Sequence, residues 1–176
     1  MKKISKLICL LMIAVLTVCL CACGSKKEKK EEKKEESQIK MPASDLLSKT
    51  IEKVKDFPDG ETLKKGDDED KKWFEYLCEF DYDKVDDYAI KYSVSGTADE
   101  FLLIKVKDEK DVKALKEALL KRQDTRKTQF KQYDAKEVSK IEAAKIVSSD
   151  NVVAFIVSDD ATDISNALTE TIDENK

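Results

Sequence analysis

The chain has 176 residues, of which 40% are charged and none is histidine; 33 basic side chains face 37 acidic ones, for a net charge of −4. An acidic balance argues against a nucleic-acid-binding role, since phosphate recognition needs clustered Lys and Arg. The missing imidazole excludes Ser-His-Asp and Cys-His catalysis and histidine ligation of a metal.

From the N-terminus, Lys2, Lys3 and Lys6 precede an apolar run from Leu7 to Cys21. Its length, about 15 residues, suits a signal peptide and falls short of the roughly 20 needed to cross a bilayer. An uncleaved anchor and a plain secretory signal are the alternatives. Leu20-Cys21-Ala22-Cys23, followed by Gly24, Ser25 and lysines, resembles the lipobox of bacterial lipoproteins. That resemblance implies cleavage after Ala22, a diacylglyceryl thioether on Cys23 and acylation of the new amino terminus. Cys19 and Cys21 fit the box badly, because Val18 and Leu20 stand where a small residue belongs. The expected address is the outer face of the cytoplasmic membrane, with the lipid as anchor. Removing the signal removes three lysines, leaving 30 basic against 37 acidic side chains, a net charge of −7. Only Cys23 and Cys78 remain, so no intrachain disulfide is expected.

Lys26 to Lys40, KKEKKEEKKEESQIK, sets like charges at most i,i+4 spacings, which disfavours a helix. It reads as a solvated tether holding a domain about 25 Å from the lipid. The expected organisation is 1–22 signal peptide, 23–42 lipidated cysteine and tether, and 43–176 globular domain.

Within that domain, Leu46, Leu47, Ile51 and Val54 share a helical face that ends before Phe57-Pro58-Asp59-Gly60. GETLKKGDDEDKK reads as a polar loop. A short aromatic helix follows at Trp73–Phe80, with Cys78 as a buried structural thiol. Ala89–Ser95 alternates as a half-buried strand, and Phe101–Val106 is a more buried one. Asp108-x-x-Asp111 opens a long helix with the stripe Val112, Leu115, Leu119, Phe130 and Tyr133. Ile141–Ser148 and Asn151–Val157 form another strand pair, and Asp160-x-x-Asp163 opens a last helix with Ile164, Ala167, Leu168 and Ile172 inward. FLLIKVKDEKDV (101–112) echoes VAFIVSDDATDI (153–164) at an offset of 52 residues. The predicted fold is therefore α+β: N-terminal helices, then two ββα units forming a four-stranded, mainly antiparallel sheet with helices packed on one face.

The run from FDYDKVDDY through the alanine-aspartate-glutamate at Ala98–Glu100, the KVKD strand exit, Arg122, Tyr133 and the valine-rich strand ending in Ser158-Asp159-Asp160 resembles a family of Gram-positive lipoproteins, domain of unknown function 4358. The resemblance extends over most of Asp45 to Leu168. It implies an envelope location and one fold, and carries no reaction.

Three constellations stand out. Asp159, Asp160 and Asp163, at a strand exit, have the oxygen chemistry of a calcium or magnesium site, although helix capping and solvation account for them as well. Asp67–Asp70 and Asp81–Asp87 are acidic runs without calcium-loop spacing, read as solvated turns and helix starts. Arg122 and Arg126, the only arginines, lie one turn apart beside Lys127 and form the one basic patch, able to hold an anion or a partner's carboxylates. No cofactor is expected beyond the lipid. The leading expectation is a monomeric, non-catalytic binding module for an envelope protein or polymer. The alternative is a divalent-cation-dependent envelope enzyme using Asp159, Asp160 and Asp163.

Overall fold

The computed structural model describes residues 39–54 and 57–176. The expected signal peptide with Ala22, the expected lipidation site Cys23 and most of the expected tether lie outside the described residues. The packed unit begins earlier than position 43, because Ile39 is already buried in a core.

The elements run α1 (Ala43–Glu52), β1 (Gly60–Lys64), α2 (Asp70–Leu77), β2 (Val85–Ser93), β3 (Glu100–Val106), α3 (Val112–Tyr133), α4 (Val138–Glu142), β4 (Lys145–Ser149), β5 (Val152–Val157) and α5 (Ala161–Asp173). Single 3-10 turns at Tyr82–Lys84, Glu109–Asp111 and Ala135–Glu137 are each led by an aspartate, Asp81, Asp108 or Asp134, whose carboxylate accepts an amide two residues on. This is the capping preference of aspartate. One sheet forms, in the order β1-β2-β3-β5-β4, with every neighbouring pair antiparallel.

The α+β class is as expected, and the sheet has five strands rather than four. The fifth is β1, which lies inside the stretch read as a loop. Its single apolar residue, Leu63, gives no strand pattern; backbone pairing with β2 supplies the order. Gly60 fits because its backbone sits close to β2, where an added Cβ would lie 2.0 Å from the Tyr92 carbonyl oxygen. Other boundaries shift too. The aromatic helix occupies Asp70–Leu77, and Ile141 belongs to α4 rather than to a strand.

Helices cover both faces of the sheet, not one. Tyr88, Ile90, Leu102, Ile104, Val153 and Phe155 join Phe74, Leu115, Leu119 and Ile141 in a first core beneath α2, α3 and α4. Ala89, Phe101, Leu103, Ala154 and Ile156 join Ile39, Leu46, Leu47, Ile164 and Leu168 in a second, beneath α1 and α5. The central strands β3 and β5 are apolar at nearly every position because each face needs its own cover. The sequence echo explains the helix placement. Side chains alternate with period two, and the offset of 52 sets Leu102, in the first core, opposite Ala154, in the second. The helix following each strand therefore packs on the opposite face. Lys105 is buried in the second face and donates to the Met41 carbonyl at 2.9 Å, while Asp87 accepts the Ala43 amide at 2.7 Å, so β2 and β3 hold the entrance to α1.

Candidate functional site

Some of the residues that carry the family resemblance, Ala98–Glu100, Arg122 and Tyr133, distant in sequence, meet at the end of the sheet where β2 turns into β3, while the FDYDKVDDY and KVKD stretches lie at the other end of these strands. Glu100 opens β3, a strand whose only other polar residue is Lys105, and has only 1% of its surface exposed. Arg122, midway along α3, reaches it with a two-pronged pair, Nε to Oε1 at 2.6 Å and Nη2 to Oε2 at 2.7 Å. Its third nitrogen, Nη1, donates to the Leu77 carbonyl at 2.7 Å, closing the C-terminus of α2. A planar guanidinium suits this fork as an ammonium would not. Every donor nitrogen of Arg122 is used.

Arg126, one turn on, is held less completely. Its Nη2 donates to the Ala98 carbonyl at 3.0 Å, and its guanidinium lies 4.9 Å from the Phe130 ring centre. Nε is 3.4 Å from Glu100 Oε2, within Coulombic reach, yet it is buried and makes no directed hydrogen bond. Burial would raise the Glu100 carboxyl, but the Arg122 charge and hydrogen bonds, with Arg126 behind them, outweigh it and hold the group below its ordinary 4.5. Burial likewise opposes the Arg122 charge, and Glu100 more than offsets it. For Arg126 burial prevails: Glu100 attracts it, Arg122 repels it, and its proton is held less tightly than usual.

The rest of the alanine-aspartate-glutamate stretch is equally occupied. The Ala98 amide donates to Glu137 Oε2 at 2.8 Å. Buried Asp99 accepts from Thr97 Oγ1 at 2.7 Å and from Lys140 Nζ at 2.9 Å. Lys140 also pairs with Glu137 at 3.0 Å and with Asp159 at 3.6 Å. Gly96 turns the chain before this stretch with φ +83°, and the Tyr133 hydroxyl sits 2.7 Å from where a Cβ would be. Tyr133 is thus exposed at the rim of the corner rather than inward, as its place in the stripe had predicted.

The arginines are therefore not the open surface patch the sequence predicted. A buried carboxylate 22 residues upstream of Arg122 draws both inward, because two guanidiniums on a packed helix face need a counter-charge. Lys127 takes no part; it pairs with Asp124 at 3.2 Å. Above Arg122 and Arg126, a depression of about 230 Å³ opens between α2 and α3, with Tyr76, Lys121, Thr125 and Gln129 in its wall. Tyr76 is 75% exposed, and Trp73, outside the lining but 43% exposed, meets it edge to face with ring centres 6.5 Å apart.

Asp159, Asp160 and Asp163 are exposed and do not converge. Asp159 reaches toward the Lys140 ammonium, while Asp160 and Asp163 line a shallow hollow shared with Lys53 and Glu170. Among the described residues no three His, Cys, Asp or Glu side chains are placed to hold a metal ion. Asp160 makes no side-chain cap to α5; its amide donates instead to Ser158 Oγ at 3.2 Å. The acidic run at Asp67–Asp70 works as a clasp, with Asp70 Oδ2 accepting from the Gly66 amide at 2.8 Å and the Tyr82 hydroxyl at 2.7 Å. Cys78, buried at the end of α2, has its thiol pushed up to about 12, chiefly by burial, with Arg122 opposing. It is a packing residue, not a thiolate nucleophile.

Residues 58–158, more than half of the chain, match the family model described as Domain of unknown function (DUF4358), and the chain belongs to that family. The match is narrower than the resemblance read from the sequence, since it omits α1 and α5. It contains all five strands and the whole of the Glu100–Arg122–Arg126 corner. No curated protein and no solved structure matches the chain.

Proposed function

We propose that this protein is an extracytoplasmic lipoprotein, anchored by a diacylglyceryl-modified Cys23 after cleavage behind Ala22, whose domain binds an envelope component and does not catalyse. The Leu20–Cys23 box with its lysine-rich flank supports the anchor. Two or three acyl chains on one residue give lasting attachment. Among the described residues no helix is long and apolar enough to cross a membrane. The observation that carries the binding reading is the exposed Trp73–Tyr76 pair beside the depression over Arg126. Exposed aromatics next to a guanidinium are the usual anchors of recognition surfaces. The lack of histidine and the inert Cys78 thiol point away from nucleophilic chemistry.

The test has two parts. Metabolic labelling with a palmitate analogue marks the wild-type chain and not Cys23→Ala; equal labelling of both removes the anchor. A photo-crosslinker in place of Trp73 gives envelope adducts in intact cells that the same group in place of Thr169, exposed on α5, does not. Equal yields, or none, at the two positions count against binding at this face.

A further inference from the structure

We infer that the depression between α2 and α3 is a binding site for a single peptide carboxylate, recognised by Arg126 with an apolar group seated against Tyr76. The inference rests on the binding-module reading above and gives it a ligand class.

Charge favours a monoanion. Two guanidiniums share one carboxylate, so the buried triad keeps one net positive charge. Lys121 and Glu79 at the mouth are 3.8 Å apart and cancel. One monoanion neutralises the site. A phosphate dianion would overcompensate it and would have to leave more water than a carboxylate does.

Donor supply separates the two arginines. Each nitrogen of Arg122 already makes a hydrogen bond, two to Glu100 and one to the Leu77 carbonyl. Arg126 makes only the Nη2 bond to Ala98 among the described residues; its Nε is enclosed beside Glu100, whereas Nη1 has no hydrogen-bond partner among those residues and the side chain lines the depression. A half-satisfied cation in a largely enclosed site is costly, and a guanidinium in a cavity wall with hydrogens to spare is ready for an incoming acceptor. Thr125 and Gln129, on the helix face beside Arg126, add hydroxyl and amide donors to the wall. Shape bounds the ligand. About 230 Å³ holds a carboxylate and the first atoms behind it, not a folded element. The rest of the ligand must leave past Tyr76 and Trp73, whose exposed rings accept apolar groups.

Trp73 is the only tryptophan in the chain and is coupled to the site through its ring contact with Tyr76. The experiment titrates the full-length chain with N-acetyl-leucine, with its amide, and with inorganic phosphate, following Trp73 emission. The free acid should saturate, and the amide and phosphate should bind at least tenfold more weakly. Arg126→Gln should weaken the acid by tenfold or more. Because that variant disturbs the buried triad, Gln129→Glu at the exposed rim is measured alongside. It should keep the wild-type unfolding midpoint and still weaken the acid about tenfold. Equal binding of acid and amide, phosphate binding as tight as the acid, or wild-type affinity in Gln129→Glu each overturns the inference. If the crosslinking contrast between Trp73 and Thr169 holds while the acid shows no advantage, the binding face stands and the carboxylate assignment falls.

Discussion

The molecule has two polar corners at the same end of the sheet, where Lys140 reaches both Asp99 and Asp159, and they are built on different rules. At Asp159–Asp163 three like charges lie within five residues, all exposed, with an ammonium close to one of them. At Glu100–Arg122–Arg126 three charges of mixed sign are spread over 27 positions, with a buried carboxylate and two largely covered guanidiniums each within 3.4 Å of it. In the sequence the first corner looks the denser in chemistry. In the structure only the second is enclosed. Contiguous acids stay apart because hydration is cheaper for them than convergence, whereas a guanidinium on a buried helix face must find its carboxylate wherever the fold places one.

The contrast can be broken most forcefully at Glu100. Glu100→Ala leaves Arg122 and Arg126 buried against each other without a counter-charge and should cost about 3–5 kcal/mol of stability in urea unfolding. A loss below about 1 kcal/mol would mean that the corner is hydrated and resembles the aspartate corner after all.

Acid sharpens the comparison next. The folded Glu100 carboxyl titrates below its unfolded value of 4.5, so its contribution is complete above that pH and fades as pH falls through the lower, folded value. Asp70 is lowered in the same sense, first by its Gly66 hydrogen bond, and Asp108 by its contact with Lys110, but both are solvent-facing and weigh less. Stability measured from pH 6 downward should therefore decline below about pH 4.5, with a shallower decline in Glu100→Gln. Parallel curves would assign the acid limb to other carboxylates.

The smallest effects belong to the exposed corner. Asp160→Asn and Asp163→Asn should each change stability by no more than about 0.5 kcal/mol. Neither should alter a thermal midpoint measured with and without millimolar calcium. A calcium-dependent rise in the wild type that either substitution removes would restore the cation-site reading.

Much of the fold was legible. FLLIKV and VVAFIV announced central strands, and Ile164, Ala167, Leu168 and Ile172 are buried as their spacing required. What stayed hidden depends on tertiary partners. GETLK carries too little apolar content to reveal a strand that exists through pairing with β2. The same continuous apolar runs that marked β3 and β5 also required helices on both faces, and the half-turn in phase between the two echoes sends α3 and α5 to opposite sides. At the site, Arg122 and Arg126 were found, but as a surface patch; Glu100 was lost among 37 acidic residues. One signal was available. A glutamate directly before the apolar run FLLI, in a chain with only two arginines one turn apart, is the composition of a buried ion pair rather than of a solvated face.

The account turns on Glu100 and Arg122 acting as one unit, and a double-mutant cycle measures that directly. Glu100→Gln, Arg122→Met and the double variant are compared with wild type by urea unfolding at pH 7. The account predicts a coupling of at least about 2 kcal/mol, with the double variant more stable than the sum of the single losses allows. Single losses that add to within about 0.5 kcal/mol would show two independent residues and contradict it.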